Sequence, residues 1–212
     1  MDKTLHYLFD PLCGWCYGAA PIVAAARHAA GVAVELHPTG LFSEDGARPM
    51  DDAFAAYAWS NDRRIEHLTG QRFSEQYRHR VLANRQQLFD SGPATVALTA
   101  VSLTEPAREL EALEGIQRAR YVDGGDVTSL TALAGLLDGL GLDEAALRIA
   151  HPDADLLAAN RARTVRARAL MREAGARGVP TLIVESGARR RMLDHTAAYS
   201  NPQALISQLE AD

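Results

Sequence analysis

Thr4-Leu-His-Tyr-Leu-Phe-Asp-Pro-Leu-Cys-Gly-Trp-Cys-Tyr-Gly18 holds both cysteines of the 212-residue chain, and its reading decides the fold. Leu5 to Phe9 is a short apolar run that predicts a buried strand. Asp10-Pro11 breaks it, and Cys13-Gly14-Trp15-Cys16 opens a helical segment. Two thiols separated by two residues at the first turn of a helix can close a small disulfide ring. They also lie among unpaired backbone N–H groups at the positive end of the helix dipole, which favours thiolate over thiol. The spacing predicts Cys13, at the mouth of the helix, as nucleophile, and Cys16, one turn further in, as the thiol that resolves the mixed disulfide.

Two other readings of the pair stand beside this one. A half zinc site lacks ligands, because no second CxxC or spaced Cys/His pair exists and His6, His28 and His37 could approach only by folding. The seven histidines show no HExxH or similar spacing, so no metal ligands are assigned. Alternatively, both cysteines are inert buried hydrophobes. The order strand, breaker, CxxC, helix favours redox chemistry.

Working outward, Tyr17 to Ala30 reads as a helix with Ile22, Val23 and Ala26 on one face, and Pro21 predicts a kink or restart one turn past Cys16. Val32, Val34 and Leu36 alternate as a second strand over Val32 to His37, giving a βαβ unit with two parallel strands. Pro38 to Pro49 has the composition of a loop. Helical spacing then dominates: Asp51 to Trp59, Phe73 to Leu88, Pro93 to Leu103, Arg108 to Tyr121, a helix through Leu130 to Leu137 with Asp126 as N-cap, a short one from Asp143, and a long one to Ala174 capped by Asp153 or Asp155. Thr181 to Glu185 and Arg190 to Leu193 read as a hairpin turning at Ser186-Gly187. Asn201 caps a final helix with Pro202 at its first position. The predicted class is α/β, βαβ…ββα with a large all-helical insertion: residues 1–45 and 176–212 form a discontinuous domain, and 46–175 the insertion.

The net charge of −5 argues against a general nucleic-acid binder. No stretch of 18 apolar residues and no signal-peptide pattern occurs, so the chain reads as cytoplasmic and soluble, with no membrane partner. With no spare cysteine pair for a structural disulfide, a reducing compartment fits. P-loop, dinucleotide and serine-nucleophile signatures are missing. Arg161, Arg163, Arg166, Arg168 and Arg172 read as a solvated helix face; alternatively they, or Arg189 to Arg191, line a groove for an anion such as a glutathione carboxylate.

Gly178-Val179-Pro180-Thr181 precedes the third strand. Proline is tolerated at the first residue of a strand, and X-Pro is where cis peptides occur; a trans turn after Gly178 is the plain alternative.

Together, Phe9 to Cys16, the helical insertion and Gly178 to Thr181 resemble the DsbA family of thioredoxin-like disulfide oxidoreductases, closer to its FrnE-like and predicted protein-disulfide-isomerase branches. The resemblance implies a thioredoxin-like fold, with Cys13 as nucleophile, Cys16 resolving, Pro180 cis and stacked on the active site, and Val179 giving backbone contacts to substrate. Gly14 and Trp15 complete the implied substrate-binding set. Trp15 offers either an exposed aromatic contact or a packing surface. Thiol-disulfide exchange or isomerisation on protein or peptide substrates, or on glutathione, would need no cofactor beyond the cysteine pair, with glutathione as a candidate co-substrate. Two departures stand out. The buried carboxylate that such enzymes often hold six residues before the first cysteine is replaced by Tyr7, leaving Asp10 as a substitute proton carrier. The Gly14-Trp15 dipeptide matches neither strongly oxidising nor reducing relatives, so the direction of transfer stays open. Glutathione-dependent transferases or isomerases of the same fold, and a non-catalytic metal- or partner-binding protein, are the competing functions.

Overall fold

The computed structural model describes residues 3–210. Its main sheet has the order β2-β1-β5-β6, built from β1 (Lys3–Phe9), β2 (Val32–Pro38), β5 (Thr181–Ser186) and β6 (Arg189–Met192). β1 lies parallel to β2, with Tyr7 opposite Leu36, and antiparallel to β5, with His6 opposite Ile183. Two helices connect β1 to β2. α1 (Gly14–Gly18) stops at Ala19, and α2 (Ala20–Arg27) restarts with Pro21 in its first turn, where the missing N–H is harmless. This is the restart that Pro21 predicts.

Between β2 and β5 run β3 (Arg48–Pro49), α3 (Asp52–Thr69), α4 (Glu75–Tyr77), β4 (Leu88–Phe89), α5 (Gly92–Thr104), α6 (Glu109–Tyr121), α7 (Leu130–Gly139), α8 (Asp143–Ala150) and α9 (Ala154–Glu173); α10 (Gln203–Glu210) closes the chain. α5 is the axis of this block. Its residues Ala94 to Val101 are all buried, and it packs against α6, α7, α8 and α9. α9 in turn packs on β2, while α10 packs on α2.

Four local expectations need correcting. Phe73 to Leu88 is not one helix: a π turn at Arg78–Leu82 follows α4, and Leu88–Phe89 pairs with Arg48–Pro49, so the insertion carries one short ladder and the Pro38–Pro49 loop ends in a strand. The cap of α7 is Ser129, whose side chain accepts from Ala132 N–H. Asp126 instead accepts from Thr128 and Gln87. The α9 arginines are not uniformly a solvated face. Arg163 donates to the Glu109 carboxylate and the Leu36 carbonyl, and Arg168 to the Thr39 and Gly40 carbonyls, fastening α9 to β2 and the loop after it. None of the five lines the cavity beside Cys13 described below. Asp153 does cap α9, accepting from Leu156 N–H at 2.7 Å.

Candidate active site

The site is built where β1 ends. Cys13 N–H donates to the Asp10 carbonyl at 3.1 Å, closing the turn that aims Cys13 into the first position before α1, with extended backbone angles. The Asp10 carboxylate is fully buried. It accepts from Leu12 N–H at 2.9 Å, Phe42 N–H at 3.1 Å and the Ser91 hydroxyl at 2.7 Å. Burial pushes its pKa up, and these donors oppose the shift. Both carboxylate oxygens are therefore engaged in joining the active-site turn to the loop after β2 and the start of α5.

Both cysteines are free thiols. Cys13 retains 7% exposure and its sulfur lies 3.6 Å from the Val179 carbonyl oxygen, within reach of a weak S–H···O contact. Cys16 is wholly buried, and that burial, followed by the proximity of Cys13, raises its pKa well above an ordinary thiol. The two thiols thus occupy different environments one helical turn apart. Tyr7 fills the position of the absent carboxylate, and its hydroxyl donates to the Cys16 carbonyl at 3.0 Å.

The second motif meets the first. The Val179–Pro180 peptide is cis, and the Thr181 hydroxyl donates to the Gly178 carbonyl at 2.7 Å, closing the turn into β5. Trp15 is half-buried. Its ring packs 5.2 Å from that of Tyr199, with the Arg64 guanidinium at 5.8 Å, and the Tyr199 hydroxyl donates to its carbonyl.

Beside Cys13 opens a cavity of about 320 Å³, walled by Cys13, Gly14 and Trp15 from the motif and by Arg48, Phe54, Asp62 and Tyr77 among others. Val179 and Pro180 are not on that wall; Val179 reaches the site through its carbonyl. Asp62 is the residue that sequence reasoning missed. It is buried, accepts from the Tyr77 hydroxyl at 2.9 Å, and its other oxygen stands 2.5 Å from where a Cβ on Gly14 would lie. Burial lifts its pKa to about 7, against the Tyr77 hydrogen bond and the charge of Arg120. Arg120 is itself buried, with its ring-facing guanidinium between 5.3 and 5.6 Å from the centroids of Tyr77, Phe89 and Tyr121. One signal for Asp62 existed: it continues the apolar stripe Phe54, Ala58, Ile65 at helical spacing.

A family model described as a DSBA-like thioredoxin domain matches residues 4–200. The chain belongs to the DsbA-like thioredoxin family. It is a thiol-disulfide oxidoreductase of that family. Among solved structures, this DsbA-family chain is similar to the cytosolic disulfide reductase DsbM from Pseudomonas aeruginosa, at 36% identity and TM-score 0.88 over 99% of this chain and 100% of that one. DsbM with GSH aligns at 35% identity and TM-score 0.82, covering 98% of each chain. A protein-disulfide-isomerase candidate from Nitrosomonas europaea aligns at 26% identity and TM-score 0.78, covering 100% of this chain and 99% of that one. No curated protein matches the chain by sequence search. Among the described residues, no helix of this DsbA-like protein is long and apolar enough to cross a membrane.

Proposed function

We propose that this DsbA-family protein is a disulfide reductase of the DsbM type, working in the cytosol on protein or peptide disulfides, with glutathione as the thiol that restores it. The unequal burial of the two thiols carries this reading. The Cys13 sulfur retains access to the cavity and attacks one substrate sulfur, the other leaving as a thiol. Cys16, whose proton burial retains until this step, gives up that proton as its sulfur attacks the Cys13 sulfur; the departing second substrate sulfur takes up a proton and leaves as a thiol, and a Cys13–Cys16 disulfide remains. Two electrons pass to the substrate, and two glutathione molecules return them as glutathione disulfide. No further cofactor enters this cycle.

Docking follows from the same surfaces. Val179 offers its carbonyl beside Cys13, Gly14 lines the cavity next to Cys13, Trp15 gives an aromatic edge, and Pro180 holds the turn that presents Val179. Residues 46–175 act as a lid: Arg48, Phe54 and Asp62 from that segment face Cys13 across the cavity, and the Arg48 guanidinium suits a substrate carboxylate. The likeness to DsbM, at 36% identity over 99% of the chain, supports both the direction and the compartment.

The experiment is mixed-disulfide trapping. Cys16→Ser incubated with glutathione disulfide is expected to hold one glutathione on Cys13, seen by intact-protein mass, while Cys13→Ser holds none. Glutathionylation of Cys13→Ser, or none in Cys16→Ser, overturns the assignment of roles. Retained glutathione-conjugating activity in Cys16→Ser would instead support the transferase alternative.

A further inference from the structure

The two faces of β1 do different work. Tyr7 points toward the active-site helix, where its hydroxyl meets the Cys16 carbonyl, so by the two-residue period of a strand His6 lies on the opposite face. The parallel register places Glu35 beside His6, and His37, two residues along β2, shares that face. His6 Nδ1 lies 3.0 Å from His37 Nε2 and 3.3 Å from a Glu35 carboxylate oxygen, which is itself 3.5 Å from His37 Nε2. These three atoms form a closed triangle.

We propose that His6, His37 and Glu35 form a binding site for a zinc-class divalent cation, separate from the thiol chemistry. A tetrahedral ion about 2.0–2.1 Å from each donor requires donors about 3.3–3.4 Å apart, and the three edges straddle that distance. Two imidazoles and one carboxylate with a fourth position left for water is an established donor set for zinc. The outer groups agree with it. His6 Nε2 is buried without a hydrogen-bond partner, yet a Glu185 carboxylate oxygen stands 3.4 Å away. A proton on Nε2 faces that carboxylate and leaves the Nδ1 lone pair directed at the triangle, which is how a second carboxylate orients a ligating histidine.

Access and charge also fit. Glu35 and His37 line a cavity of about 690 Å³ beneath β2, and Glu35 is exposed at the sheet edge, giving an ion a path from solvent. Of the nearby guanidiniums, Arg163 is paired with Glu109, and Arg190 is paired with Glu173 and with Glu185 itself, so Glu185 is shared between Arg190 and His6. Arg166 lines the same cavity but is solvent-exposed, where water screens it.

The test uses the full chain carrying Cys13→Ser and Cys16→Ser, so that no thiolate competes for metal. Zinc is titrated against a chromophoric chelator, and cobalt(II) replaces it for visible absorption. One zinc per chain and a tetrahedral cobalt spectrum are expected, with His37→Gln and Glu35→Gln each weakening binding by roughly 100-fold or more. Glu35 is exposed, so Glu35→Gln keeps the comparison valid if His37→Gln fails to fold. Substoichiometric zinc in the thiol-free protein, or affinity unchanged by Glu35→Gln, overturns the site.

Discussion

Asp62 concentrates the residue-scale physics of this site, because a carboxyl group lifted from an ordinary value of 3.8 to about 7 by burial is costly to ionise. Between those two values the folded chain binds a proton that the unfolded chain has lost, so stability falls as pH rises through the interval and is fully present below it. The shift corresponds to about 4 kcal/mol at most. Asp62→Asn keeps the shape and an acceptor for Tyr77 while removing the ionisation. It is expected to match the parent near pH 4 and to exceed it by about 2–4 kcal/mol at pH 8, as measured by urea denaturation across that range. An unchanged slope of stability against pH would show that Asp62 titrates normally. Such a cost on the wall of a redox cavity is the kind of local conflict that proteins keep where function requires it.

At the scale of elements, α1 reaches α3 because Gly14 and Gly18, one turn apart, present no side chain to it. A Cβ on Gly18 would stand 2.7 Å from Ile65 Cγ2 and 3.3 Å from Thr69 Cγ2. Gly18→Ala is therefore expected to destabilise the chain by about 1–3 kcal/mol through overpacking, visible as a lower urea midpoint with an unchanged m-value; an unchanged midpoint would mean that α1 and α3 are not held this closely. Elements with strong local signals were legible in the sequence. β1 announces itself as an apolar run cut by Asp10-Pro11, and β5 by an apolar run after Pro180. Phe73 to Leu88 misled because aromatic and aliphatic spacing there serves a π turn and a two-residue strand, a choice made by pairing with Arg48–Pro49 some 40 residues away. The α9 arginines misled for a related reason: Arg163 and Arg168 find their acceptors on β2 and its following loop, more than a hundred residues distant in sequence.

The whole molecule joins two kinds of information. The CxxC is local, so its chemistry can be read from fifteen residues. The cavity is not, since its walls come from β3, α3, α4, β4 and α6 as well as the motif, and no spacing rule brings Arg48, Asp62 and Tyr121 together. The His6–Glu35–His37 triangle was equally hidden, because it depends on the register of β1 against β2. Asp10 is where the two kinds meet: one buried carboxylate fastens the local turn to Phe42 and Ser91, so the thiol pair is positioned by the fold as a whole.

What the proposed cycle requires above all is a Cys13–Cys16 couple that acts as a reductant. Its reduction potential, measured by equilibration in glutathione buffers with thiol trapping, is predicted to be a single two-electron transition at roughly −200 to −270 mV, between the glutaredoxins and thioredoxin. Two thiols that never pair across that range, or a transition near −120 mV, the region of strong oxidants, would contradict it.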